Sequence, residues 1–247
     1  MQGARKAEPH PYRSAIGKHM DEIRIIVFTL EIIGVAAFAV SGVLVAVAAE
    51  LDLLGGIMLG AITSVGGGVL RDILLGALPP AMFTDPRYVA AAVGVSLVTY
   101  LVALGMGERF FQRMERLVRF INLLDAIGLG IFATVGVDAA IGAGYGDNAF
   151  LAVFVGTVTG VGGGIMRDQL VVRVPMVLQK RVYILAAVAG ALSYYIMIQV
   201  SVLQPAALCL STALVVTIRL LAAHYRWNLP RTRRAAPDDG QNPPAKE

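Results

Sequence analysis

Charge is what this sequence has least of. Only 15% of its 247 residues are Asp, Glu, Lys or Arg, where a soluble domain has about 25%. A 26.1 kDa globule cannot cover itself with so few ions, which sets aside a disordered chain, a nucleic-acid partner and an ordinary water-soluble enzyme. The single cysteine, Cys209, lies in an apolar stretch, so neither a disulfide framework nor a thiolate metal cluster is available. His10, His19 and His224 all lie in the flanks, and no metal-ligand pair or nucleophile constellation occurs within the apolar core. A Gly-x-x-x-x-Gly-Lys-Ser/Thr phosphate loop and a Rossmann glycine spacing are missing too. No enzyme activity and no cofactor are expected. What the chain does have is 57% apolar residues and a mean hydropathy of +0.70, the composition of an all-α integral membrane protein.

A helix needs about 20 mostly apolar residues to cross the hydrocarbon, and seven such segments occur. The first runs from Ile25 to Ala49 with only Glu31 charged, and the second from Leu53 to Gly76, stopped by Pro79 and Pro80. The third covers Tyr88 to Gly105, the fourth Ile121 to Ala143 with Asp125 and Asp138, and the fifth Asn148 to Val172. Val182 to Ile218 carries no formal charge and is too long for one ordinary span, and Pro205 divides it in two. Residues 1–19 are expected to be a disordered extension, 20–226 the transmembrane domain and 227–247 a basic, then disordered tail. Arg109, Arg113, Arg116, Arg119, Arg173, Lys180, Arg181, Arg226, Arg231, Arg233 and Arg234 fall on the side of the C-terminus, and the opposite loops hold almost only Arg87. This distribution predicts a cytoplasmic C-terminus and an external N-terminus in a cell, or inner, membrane. Arg5, Lys6, Arg13, Lys18 and Arg24 in the N-terminal segment run against it. The basic segment with Trp227 suits contact with anionic lipid.

The chain repeats itself. Shifted by 96 positions, Gly60 to Asp72 falls on Gly156 to Asp168 with eight of thirteen residues identical, including a Gly-Gly-Gly-x-x-Arg-Asp run. Shifted by 94, Gly34, Phe38, Ala39, Gly42 and Ala46 fall on Gly128, Phe132, Ala133, Gly136 and Ala140. Repeat one is assigned to 25–105, repeat two to 121–203 and a seventh helix to 205–223. Three spans are an odd number, so the second copy enters the membrane inverted, an arrangement that builds pathways on a shared two-fold axis near the midplane.

Three glycines in a row weaken a helix and leave carbonyls open, tolerable only where the break is buried or lines a wet cavity. Gly66, Gly67, Gly68, Gly162, Gly163 and Gly164 are therefore expected to kink spans two and five and to line a pathway. The competing explanation is close packing of small residues, with Gly56, Gly60 and Gly156 alongside. Arg71, Asp72, Arg167 and Asp168 are too costly to stand alone at depth and are assigned a structural or gating role, as an alternative to snorkelling at helix ends. Residues at i and i+1 do not face each other on a helix, so each arginine is expected to find a carboxylate elsewhere, across the repeat axis. Asp138, with no cation at helical spacing, is a candidate pathway residue, with a loop-proximal cap as the alternative. Ser64, Thr134 and Thr159, with Ser41, Thr63 and Thr157, offer further oxygens, though such hydroxyls also bond their own helix. Glu31 and Asp125 hold matching positions and are expected at helix ends.

The two Gly-Gly-Gly-x-x-Arg-Asp runs, with Ala-Phe-Ala-Val-Ser-Gly in span one and Gly-Leu-Gly-Ile-Phe-Ala in span four, resemble the trimeric intracellular cation (TRIC) channel family in its prokaryotic branch. The resemblance covers Met20 to Arg226. It implies a homotrimer whose subunits each hold a hydrophilic pore selective for monovalent cations, with K+ the physiological ion, and it implies that the glycine kinks line that pore. Animal members carry Lys-Glu-Val on the fourth span, tied to phosphoinositide control, where this chain has Gly136-Val-Asp138, so lipid gating of that type is not expected. Two other functions stay open: a secondary carrier of a small solute such as an amino acid, which uses the same architecture, and a membrane scaffold whose glycines serve packing alone.

Overall fold

A computed structural model describes residues 11–107, 112, 114–176, 182–225 and 227. Among them are eight α-helices and no strand: α1 (Pro11–Ala48), α2 (Leu53–Leu75), α3 (Ala81–Thr84), α4 (Pro86–Met106), α5 (Met114–Ala140), α6 (Ala149–Leu170), α7 (Val182–Gln199) and α8 (Gln204–His224). All but the short α3 contain segments long and apolar enough to span a membrane, seven in all. The helix ends follow local chemistry. Asp52 caps α2 by accepting from the Gly55 amide, Asn148 caps α6 by accepting from that of Leu151, and Pro86 opens α4. Gly76 closes α2 in a left-handed conformation (φ 70°) that a side chain would strain. Past Ala140, α5 runs into a π-helical turn, Ile141–Tyr145, ended by Gly144 at φ 93°. The uncharged run is split as expected, α7 ending at Gln199 and α8 opening with Pro205 in its first turn.

One end differs from expectation. α1 begins at Pro11, so the segment expected to be disordered is helical from there on. Residues 11–24 contain no break beyond Gly17, and a helix once nucleated propagates through such a sequence. Residues 1–10, Arg109, Arg113, Lys180, Arg181, Arg226 and the tail from 228 lie outside the described residues.

α1, α2 and α4 pack together, as do α5, α6 and α7, while α8 lies against α5 and α7. The halves meet through α1 against α5 and α2 against α6. Phe38 and Phe132, repeat mates, stack with centroids 5.5 Å apart. Within each half the same glycine lets the same neighbour in: a methyl on Gly42 would lie 2.7 Å from Thr63 Oγ1, and one on Gly136 would lie 2.6 Å from Thr159 Oγ1.

The contact between α2 and α6 is made of backbone. A methyl on Gly67 would collide with the Thr159 carbonyl oxygen, and one on Gly163 with that of Thr63. Position 67 meets 159 while 63 meets 163, so the two helices cross antiparallel, as the inversion of one repeat relative to the other requires. Both helices continue through their triplets without interruption, so the glycines do not unwind the ladder here. They bring two backbones together.

The members of each triplet are therefore not equivalent. Gly67→Ala or Gly163→Ala is expected to destabilise the protein by about 1–3 kcal/mol through overpacking. Gly68, with nothing within 4 Å of an added methyl, should accept alanine with a gain of about 0.5–1 kcal/mol from helix propensity. Thermal unfolding in detergent checks the contrast.

Candidate functional site

Four residues of the first half converge beside this crossing. Glu31 comes from α1, Arg71 and Asp72 from the C-terminal part of α2, and Tyr88 from the first turn of α4. The Tyr88 hydroxyl donates to Glu31 Oε2 at 2.5 Å, Arg71 Nη1 lies 3.6 Å from Glu31 Oε1, and Arg71 Nε donates to Asp72 Oδ1 at 2.8 Å. The Ala81 amide donates to Asp72 Oδ2 at 2.8 Å, tying the loop after α2 to the pair. These side chains line a cavity that runs inward to Ser64, Gly68 and Phe132. Arg71 and Glu31 keep 11% and 14% of their side-chain surface exposed.

The second half builds the same constellation from Asp125, Arg167, Asp168 and Tyr183. Arg167 Nη1 donates to Asp125 Oδ1 at 2.9 Å and to Ser41 Oγ at 2.8 Å, and its Nε donates to Asp168 Oδ1 at 2.9 Å. The Met176 amide donates to Asp168 Oδ2 at 2.8 Å, the counterpart of the Ala81 bond. Here the ions are sealed in: the side chains of Arg167 and Asp125 are 1% and 0% exposed. Arg219 of α8 joins them, its Nη2 3.6 Å from Asp125 Oδ2 and its guanidinium 4.4 Å above the Tyr183 ring. A separate cavity of about 330 Å³, lined by Arg167, Asp168, Asn122, Arg173 and apolar side chains, opens beside this cluster.

Three expectations are corrected. Each arginine does bond its i+1 aspartate, because the long side chain brings Nε back to the carboxylate of the following residue. The remaining carboxylates, Glu31 and Asp125, belong to the same half as their arginines and do not reach across the axis. Nor do Glu31 and Asp125 sit at helix ends: α1 and α5 start at Pro11 and Met114, well before them. Tyr88, Tyr183 and Arg219 were missed. The tyrosines are repeat mates at a shift of 95, and Arg219 is an ionisable residue inside the seventh span, a signal in its own right.

The other candidates are distributed as follows. Asp138 accepts from the Tyr194 hydroxyl at 2.6 Å and from Gln204 Nε2 at 2.8 Å, at the junction of α7 and α8. Thr134 bonds the Gly130 and Ile131 carbonyls and faces Thr212 of α8 at 3.3 Å. Ser64 bonds the Ala61 carbonyl on the cavity wall, and Thr159 that of Val155. Gly66 lies against Met166, Gly162 against Leu70, and Gly164 against the Tyr183 hydroxyl. Gly68 alone of the six borders the first cavity.

Removing one partner of a buried ion pair leaves the other uncompensated, at about 3–5 kcal/mol. Arg167→Met is therefore expected to cost about that much in thermal unfolding, and Arg71→Met distinctly less, because Glu31 is partly exposed.

A family model described as "Glycine transporter" matches twice, over residues 28–103 and 122–199, one match in each half. The UPF0126 inner membrane protein YadS of Escherichia coli (strain K12) is 35% identical over 222 residues, covering 88% of this chain and 100% of that protein. A UPF0126 membrane protein of Deinococcus radiodurans is 44% identical over 164 residues, 66% of this chain and 72% of that protein. Among solved structures, the TRIC trimeric intracellular cation channel orthologue from Rhodobacter sphaeroides is similar with a TM-score of 0.73 at 33% identity, covering 82% of this chain and 99% of that one. A prokaryotic TRIC channel is similar with a TM-score of 0.74 at 33% identity, covering 83% and 100%. A doubled match along the sequence and agreement with nearly the whole of a solved chain lead to one conclusion: this protein belongs to the UPF0126 membrane proteins, the prokaryotic branch of the TRIC family.

Proposed function

We propose that the protein is a passive monovalent cation channel of the inner membrane, with K+ the physiological ion, working as a homotrimer with a pore in each subunit. The observation that carries this reading is the cavity beside the α2–α6 crossing, a largely apolar wall into which Glu31, Arg71, Asp72 and Tyr88 are set. It brings Glu31 and Asp72 against a single guanidinium, Arg71, so it holds one net negative charge at membrane depth. Such a cavity concentrates cations and repels anions. The Ser64 hydroxyl on its wall, which donates to the Ala61 carbonyl, keeps an oxygen that can face a dehydrating ion. Similarity to proteins described as TRIC cation channels supports the same function, and the description of the Rhodobacter sphaeroides orthologue as trimeric supports the assembly. Permeation of this kind needs no catalytic step and no cofactor. The arginine distribution supports an external N-terminus and a cytoplasmic C-terminus, which puts the Glu31 cavity on the external side and leaves the basic cytoplasmic face to anionic lipid.

A second reading is a secondary carrier of an amino acid. Two observations favour it: the family model's description as a glycine transporter, and a cavity that sets a guanidinium beside two carboxylates, groups that match a zwitterion.

Purified protein in planar bilayers under asymmetric KCl should give discrete current steps reversing near the K+ potential. Silence there, with saturable amino-acid uptake in liposomes, would favour the carrier. In the channel, Glu31→Gln should lower the K+ current at low salt. Asp138→Asn, which keeps a hydrogen-bonding side chain at the α7–α8 junction, tests the carboxylate proposed to line the path: a lower current with an intact trimer is expected, and an unchanged current removes it.

A further inference from the structure

The two halves match residue for residue around their arginines, Glu31 with Asp125, Arg71 with Arg167, Asp72 with Asp168 and Tyr88 with Tyr183, yet their electrostatics differ. In the first half two carboxylates face one guanidinium, and among the described residues no second cation lies within ion-pair distance of Glu31. In the second half the same two carboxylates face two guanidiniums, because α8, which lies outside the repeat, adds Arg219. The first group opens to a cavity that Glu31 and Tyr88 line. Of the second group, Asp125, Tyr183 and Arg219 are buried and absent from the wall of the neighbouring cavity, which only Arg167 and Asp168 reach.

We propose that Arg219 is a tethered counter-ion: it holds, in the second half, the charge that a mobile cation supplies in the first, and so restricts charge-driven cation capture to the Glu31 end of the protein. The geometry assigns it an electrostatic role. Its Nη2 is 3.6 Å from Asp125 Oδ2, beyond hydrogen-bond length. Its Nε and Asp125 Oδ2 are both buried without a hydrogen-bond partner among the described residues. A residue selected for directional bonding would satisfy these atoms, whereas a residue supplying charge needs only proximity and a surface, here the face of Tyr183. Without Arg219 the buried cluster of the second half would carry the same net negative charge as the first, with Arg173 in the wall of the neighbouring cavity as the remaining cation at that end. The seventh span thus makes an otherwise symmetric pair of repeats electrically one-sided.

This inference rests on the channel reading, and one set of bilayer recordings separates the two. If the wild type gives no cation currents, the channel reading fails. If it conducts, its current–voltage curve in symmetric KCl should be asymmetric, and Arg219→Gln should raise the current carried by cations arriving from the Arg167 end. The rise should approach roughly ten-fold at 0.01 M salt and vanish at 1 M, as the Debye length falls from about 30 to about 3 Å. Arg219→Lys, which keeps the charge and loses the fork, should retain the wild-type curve. Asp125→Asn with Arg219→Gln, neutral again, should restore it. A well-assembled Arg219→Gln trimer with an unchanged curve overturns the proposal. If Arg219→Gln does not assemble, the double variant decides: assembly with a wild-type curve supports charge compensation, and failure to assemble makes Arg219 a packing element and overturns the proposal.

Discussion

Ions inside a membrane must be neutralised or wetted, and this fold places both solutions side by side. A lone charge at the centre of a spanning helix costs about 2.5–3.5 kcal/mol on insertion scales, and the described spans carry arginines and carboxylates in matched sets. The second half neutralises its set within the protein, with Arg167 and Arg219 against Asp125 and Asp168. The first half leaves Glu31 and Arg71 partly exposed in a cavity. The difference in charge between the two clusters traces to Arg219 on the extra helix, since the eight repeat-matched side chains are alike in kind.

Close approach of backbones makes the arrangement possible. Gly67 and Gly163 let α2 rest on α6, so the Arg-Asp pairs, four and five residues further along each helix, stand about 6–7.5 Å beyond these glycines in opposite directions. Larger residues would push the helices apart and separate the clusters from the crossing. Gly68 has a different part, bordering the cavity where its triplet mates are enclosed. One tripeptide thus serves packing at its centre and exposure at its edge.

Much of this was legible in the residues. Uncharged runs gave seven spans, Pro205 separated the last two, and the doubled glycine motif marked the two helices that cross antiparallel. Partners were less legible. A sequence tells which face of a helix a residue occupies and is silent on what stands opposite, so Arg167 was assigned a carboxylate across the axis when Asp125 of its own half takes it. Asp138 showed no partner at helical spacing because Tyr194 and Gln204 reach it from other helices. Arg219 escaped for another reason: it stands at the end of the uncharged run and reads as its boundary. The start of α1 was misjudged because low hydropathy at 11–24 marks the limit of a membrane span and says nothing of where helix begins.

The aspartates of the two motifs each grip a backbone amide beyond their own helix, Asp72 that of Ala81 and Asp168 that of Met176. Each carboxylate holds a guanidinium with one oxygen and a loop with the other. The backbone at Ala81, where α3 begins, and at Met176, beyond the end of α6, is therefore fixed to the charges within the bundle. A displacement of either of these backbone positions is passed through an aspartate to an arginine beside the crossing.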